Sequence, residues 1–119
     1  MKTVCEREQD HKKVIQRVKE DVMLSSDVEK MAKIFRVLAD SSRLKIVIAL
    51  LKGEMCVYHL TEICNSTQSA VSHQLRILRD NHIVKARRLG QTVEYSIADA
   101  HIREIIEIGK AHLLCDLGE

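Results

Sequence analysis

The sequence contains no proline and no tryptophan, and Phe35, Tyr58 and Tyr95 are its entire aromatic content, 3% of the chain. The core must therefore be aliphatic, and no proline obliges a periodic segment to break. No apolar run approaches the roughly 20 residues that a membrane-spanning helix needs. The opening stretch MKTVCEREQDHKK lacks the apolar block of a secretory signal, so a cytoplasmic protein without a membrane partner is expected. Phosphate-cradling glycine loops, HExxH helices and nucleophile–base motifs are also missing, which argues against an enzyme. The formal net charge of +2 is too small to announce a nucleic-acid partner by itself.

What is present is a globular composition, 45% hydrophobic and 30% charged over 119 residues, enough for one core and too little for two. A single domain over 1–119 is expected, mainly α with an α+β element. Helical spacing places Val14, Ile15, Val18 and Val22 on a first helix over 8–23, within an N-terminal arm of 1–24. Ser25, Ser26 and Asp27 offer caps for a second helix with Val28, Met31, Ile34, Phe35 and Leu38 on one face. A third, Arg43 to Lys52, is apolar on most sides and reads as central, with Gly53 ending it.

Two short helices follow within 57–80. The first covers Val57 to Ile63; after the turn Asn65-Ser66-Thr67, the second runs to Asp80 with Val71, Leu75 and Leu78 as its buried stripe. The period then changes from 3.6 to 2 over 83–97, with Leu89-Gly90-Gln91 between two alternating runs, predicting a β-hairpin. Between residues 76 and 88 lie Arg76, Arg79, Lys85, Arg87 and Arg88 against one acid, Asp80, a local stripe of the kind phosphate contacts require. The order helix, helix, basic hairpin predicts a winged helix-turn-helix. A helix fits the major groove, and short polar side chains let it approach base edges. Gln68, Ser69, Ser72, His73 and Arg76 occupy that face, while Arg87, Arg88 and Gln91 near the hairpin tip are phosphate or minor-groove candidates. The partner implied is operator DNA.

A last helix over 99–117 carries His101, Ile105, Ile108, His112 and Cys115 at intervals of four, three, four and three. They form one stripe with metal-type ligands at both ends and an apolar middle. The rise from His101 to His112 is about 16 Å, whereas ligand bonds are only about 2.0–2.3 Å, so one ion cannot join both ends of a straight helix. Antiparallel pairing of two copies solves this, bringing Asp99 and His101 of one to His112 and Cys115 of the other. The apolar middle becomes the seam of a homodimer. Asp116 is a spare oxygen donor, and Gly109 in this helix, costing about 1 kcal/mol against alanine, predicts close packing there.

Leu38-Ala39-Asp40 with Arg43-Leu44 and Ile46, then Gly53-Glu54-Met55-Cys56-Val57, then Gln68-Ser69-Ala70-Val71-Ser72-His73-Gln74-Leu75 and Leu78, together resemble the ArsR/SmtB family of bacterial metal-sensing repressors. The resemblance covers about residues 25 to 117. It implies a dimeric winged-helix repressor that leaves its operator when a metal effector binds. The family often carries Asp-x-His, ten intervening residues, then His-x-x-Glu or His-x-x-His on its last helix; here Cys115 stands at the final position. Asp99, His101, His112 and Cys115 suit tetrahedral Zn²⁺, the added thiolate favours Cd²⁺, and Co²⁺ is a further alternative. The resemblance also implies a second candidate site, Cys56 and His59 completed from the N-terminal arm by Cys5 and His11, with Tyr58 where two-thiolate members have cysteine. Cys64 is expected to pack at a helix end. Two rival readings stay open: a thiol, redox or persulfide sensor on the same fold, with Cys56 and Cys115 as its pair, or a metal-binding protein that never touches DNA.

Overall fold

The computed structural model describes residues 4–21 and 25–117. In chain order they form α1 (Val4–Asp21), α2 (Ser25–Ala39), α3 (Ser41–Leu50), α4 (Val57–Ile63), α5 (Gln68–Asp80), β1 (Val84–Leu89), β2 (Thr92–Ile97) and α6 (Ala100–Leu117). The chain divides into two compact units, Met1–Ala32 and Lys33–Glu119.

The first unit holds α1 and the opening of α2. The predicted α1 stripe forms, but Val14, Ile15 and Val18 are all exposed, as are Val28 and Met31 of α2. Val22 lies outside the described residues.

In the second unit α3 is central, with Ile46, Val47 and Leu50 buried and neighbours on α4, α5 and β2. Its start is two residues earlier than the spacing predicts. Asp40, extended at φ −72°, accepts from the Arg43 N–H through Oδ1 at 3.1 Å and caps the helix. The buried part of α2 is also displaced from the expected face. Val37 and Leu38 enter the core and Ile34 packs half-buried against it while Phe35 stays exposed, so among the described residues the C-terminal part of the predicted stripe is the covered part.

The α4 helix occupies the predicted span, and Cys64 closes it as a half-buried C-cap packed against the core. Asn65 takes the left-handed conformation at φ 49°, which its short polar side chain tolerates. Thr67 then caps α5, its Oγ1 accepting from the Ala70 N–H at 3.1 Å. Val71, Leu75 and Leu78 are buried as the spacing predicts.

The hairpin pairs antiparallel from Val84↔Ile97 to Leu89↔Thr92, leaving Gly90 and Gln91 as a two-residue turn with Gly90 at φ 62°. Met55 forms a single antiparallel bridge to the hairpin, exchanging backbone hydrogen bonds with Tyr95 at 3.0 and 2.8 Å. The α6 helix packs on β2 through Ile102 and Ile106. Arg103 fastens the same end by donating from Nη1 to the Leu51 carbonyl at 3.0 Å. The close packing expected at Gly109 is absent within the chain, since a Cβ there would meet nothing within 4 Å.

Candidate DNA-reading helix and ligand-bearing helix

Burial of Val71, Leu75 and Leu78 fixes the rotation of α5, and helical periodicity then dictates what faces outward. Gln68, Ser69, Ser72, His73 and Arg76 are all exposed on that outer side. A hollow on one flank is lined by Ser72, Leu75, Arg76, Arg79, Asp80 and Tyr95, so Arg79 joins Arg76 beside the wing, with Asp80 as the one acid there. Arg79 belongs to the basic stripe but not to the proposed reading face, and it lines the hollow together with Tyr95 of β2. The orientation of α5 is tied to α3 by Arg43, which donates from Nε to the Val37 carbonyl at 2.8 Å and from Nη1 to Gln74 Oε1 at 3.1 Å.

On the wing, Arg87, Arg88 and Gln91 are exposed, but the two arginines differ. Arg87 grips Glu54 with two hydrogen bonds, Nη2 to Oε1 at 2.6 Å and Nε to Oε2 at 3.1 Å. That bidentate pairing holds the Glu54 carboxyl below the usual carboxylate range and raises the Arg87 guanidinium further. Glu54 sits beside Met55, which the bridge to Tyr95 locks to the hairpin, so a partner 33 residues away is brought to the wing. Arg88 makes only a local contact, Nε to the Gly90 carbonyl at 3.3 Å.

Within the second unit the ligand-type residues form two contacting pairs, Asp99 with His101 and Cys56 with His59, and leave His112 and Cys115 one turn apart on α6. Asp99 and His101 meet at the start of α6, Oδ1 to Nδ1 at 3.7 Å, with the His101 side chain 89% exposed. Asp99 Oδ1 also accepts from the Ile102 N–H at 3.0 Å, capping the helix while Oδ2 remains for another partner. His112 and Cys115 lie exposed toward the other end, with Ile105 and Ile108 exposed between. The side chain of Asp116 lies outside the described residues. The other pair is Cys56 and His59, one helical turn apart with Sγ and Nδ1 separated by 3.5 Å. His11 is on α1 in the other unit, and the Cys5 side chain lies outside the described residues. Among the described residues no three His, Cys, Asp or Glu side chains converge on one point. Each end of α6 therefore presents two ligand-type side chains, as does the start of α4. At the end of α4, burial pushes the Cys64 thiol pKa up, partly offset by the Lys45 ammonium.

Residues 40–86, from the cap of α3 to the first half of the wing, match the family described as bacterial regulatory protein, arsR family. A transcriptional repressor SmtB homolog of Synechocystis is 40% identical over 92% of this chain and 83% of its own. A cadmium resistance transcriptional regulatory protein, a CadC homolog of Staphylococcus aureus, is 35% identical over 93% and 92%. Among solved structures, HlyU from Vibrio cholerae superposes with a TM-score of 0.70 at 29% identity, covering 77% of this chain and 99% of that one. No helix among the described residues is long and apolar enough to cross a membrane. The winged-helix fold, the family match over residues 40–86 and relatives that align over more than nine tenths of the chain leave one assignment: the chain belongs to the ArsR/SmtB family, and is a winged-helix DNA-binding transcriptional repressor rather than an enzyme.

Proposed function

We propose that the protein binds operator DNA as a homodimer and releases it when a divalent metal, Zn²⁺ first and Cd²⁺ or Co²⁺ as alternatives, joins the two copies of α6. The observation that carries this reading is the exposed stripe on α6, with Asp99 and His101 paired at one end, His112 and Cys115 at the other and uncovered isoleucines between. The donor set fits the group: one carboxylate, two imidazoles and one thiol suit a tetrahedral borderline-soft ion. Bound there, the ion supplies a cross-link between chains. The protein's own residues do the rest. Asp99, fixed by its cap on Ile102, holds a carboxylate beside His101, while Ile105 and Ile108 offer the apolar seam. The repressors named for cadmium resistance lend support to a softer metal.

Ser69, Ser72 and His73 are the proposed base-edge contacts, with Gln68 able to pair bidentately with adenine. Arg76, Arg88 and Gln91 are the proposed backbone contacts, joined by Arg87 when Glu54 releases it. Metal and DNA then oppose each other by one coupling free energy, equal in both directions. The test is a Zn²⁺ and Cd²⁺ titration of reduced apoprotein, alongside His101→Ala/His112→Ala. One tight ion per chain, lost in the double variant, is expected; DNA affinity indifferent to saturating metal sinks the proposal.

The approach of Cys56 to His59 supports a second reading, in which this pair is either half of another metal site with Cys5 and His11 or a thiol switch. A metal response that survives the double histidine variant and disappears with Cys56→Ser would favour it.

A further inference from the structure

We infer that a cleft on the flank of α5 turned away from the wing receives a DNA phosphate, with Lys45 as its charge and the Ser41, Ser42 and Ser66 hydroxyls around it. The inference rests on the assignment of the chain as a DNA-binding repressor and adds a contact surface that neither the reading face nor the wing provides.

The cleft has a volume of about 360 Å³ and lies between the first half of α3, the turn before α5 and α5 itself. Ala70 and Gln74 line it from α5, whereas Ser72, Arg76 and Arg79 line the hollow on the wing side. At about 100° per residue, Ala70 and Gln74 fall on one flank of the reading face and Ser72, Arg76 and Arg79 on the other, with Ser69 and His73 between. A helix about 10–12 Å across fills a major groove about 12 Å wide, so both of its flanks meet a sugar–phosphate strand. The wing and its arginines serve one strand. The cleft is what the chain offers the other.

Its chemistry suits an anion. None of its lining residues is acidic, and Lys45 is the only charged one. Ser41, Ser42, Lys45 and Ser66 are all exposed and able to donate. Gln74 adds a further donor: a guanidinium has no acceptor, so the side-chain oxygen of Gln74 must face Arg43, leaving its amide NH₂ as the group available to the cleft it lines. The hollow beside α4, by contrast, is lined by Glu54 and Glu62 and would repel a phosphate.

The test uses the full-length protein and a mixed-sequence DNA duplex in phosphate-free buffer, with binding followed by fluorescence anisotropy over a range of KCl. Each phosphate charge neutralised contributes about 0.9 to the slope of log K against log salt. Lys45→Gln should make the slope shallower by about 0.9 per cleft engaged, which is about eightfold weaker binding at 0.1 M salt for equal affinity at 1 M. Lys45→Arg should restore the slope, and the loss should be the same on duplexes of different sequence. Arg88→Gln serves as the wing comparator. A slope lowered by Arg88→Gln but unchanged by Lys45→Gln overturns the cleft and leaves DNA binding intact. Parent protein with no salt-dependent binding overturns both. An effect of Lys45→Gln that appears on one sequence only, with the slope unchanged, also overturns it, because a phosphate contact cannot read bases.

Discussion

The helix proposed to read DNA and the helix that carries the ligands are built from similar aliphatic residues, yet one is complete in a single chain and the other is not. On α5, Val71, Leu75 and Leu78 are buried by neighbours of the same chain, a threonine caps the first turn, and Ala70 is the one exposed apolar residue among polar ones. On α6, Ile102 and Ile106 are buried while Ile105, Ile108, Leu113 and Leu114 stay exposed, Ile108 at 67%. A soluble helix seldom leaves such a row to water unless something covers it. The part proposed to read DNA is packed within one chain, whereas the part proposed to sense leaves an apolar row that the proposed second copy would cover.

That contrast can be broken at several points. The largest effect belongs to the self-sufficient half: Leu78→Ala, at a side chain 0% exposed, should cost about 2–5 kcal/mol, read from denaturant midpoints. Next comes the coupling carried by α6. His101→Ala/His112→Ala should abolish a metal effect on DNA affinity of about 5- to 150-fold while leaving metal-free binding in place. Ile108→Glu should shift the assembly toward monomer in sedimentation experiments with its circular dichroism preserved; an unchanged dimer would show that the seam lies elsewhere. Thr67→Ala removes one capping bond from α5 and should lower stability by about 1 kcal/mol.

The smallest effect concerns the wing. Glu54→Gln removes the partner of Arg87 and should tighten DNA binding a few-fold, with a salt slope steeper by about 0.9. Acid should act in the same direction. The Glu54 carboxyl titrates below its ordinary value, so the pair persists above that value and is lost as pH falls through the lowered one, freeing Arg87. DNA affinity that is identical for parent and Glu54→Gln would mean the pair never competes with phosphate.

Most of the reading head was legible from the sequence because its signals are local. The limits of α4, the capping threonine and the hairpin turn all follow from residues within a few positions of one another. What was not legible depends on distant partners. The burial of Val37 in place of Phe35 is decided by what the end of α2 meets, not by its own periodicity. Glu54 reaches Arg87 only because Met55 pairs with Tyr95, and no spacing rule connects those positions. Gly109 suggested close packing because glycine is unfavourable in a helix, but its own chain supplies no neighbour. The candidate ligands on α6 were legible as a stripe with a pair at each end; the 3.7 Å approach of Asp99 to His101 and the cap that Asp99 places on Ile102 required coordinates.

The anchoring of α6 has a mechanical consequence. Ile102, Arg103 and Ile106 hold its first two turns to the rest of the unit, while every residue from Glu107 to Cys115 is exposed. The outer part is thus a cantilever about 13 Å long from Ile106 to Cys115, clamped at one end and bearing His112 and Cys115 near its tip. A helix bends little over two turns, so a sideways pull of about 2 Å at the tip arrives at the clamp as a rotation of about 10°. The clamp rests on the Leu51 carbonyl and on β2, one strand of the wing, so in the proposed metal response that rotation would reach the wing through β2.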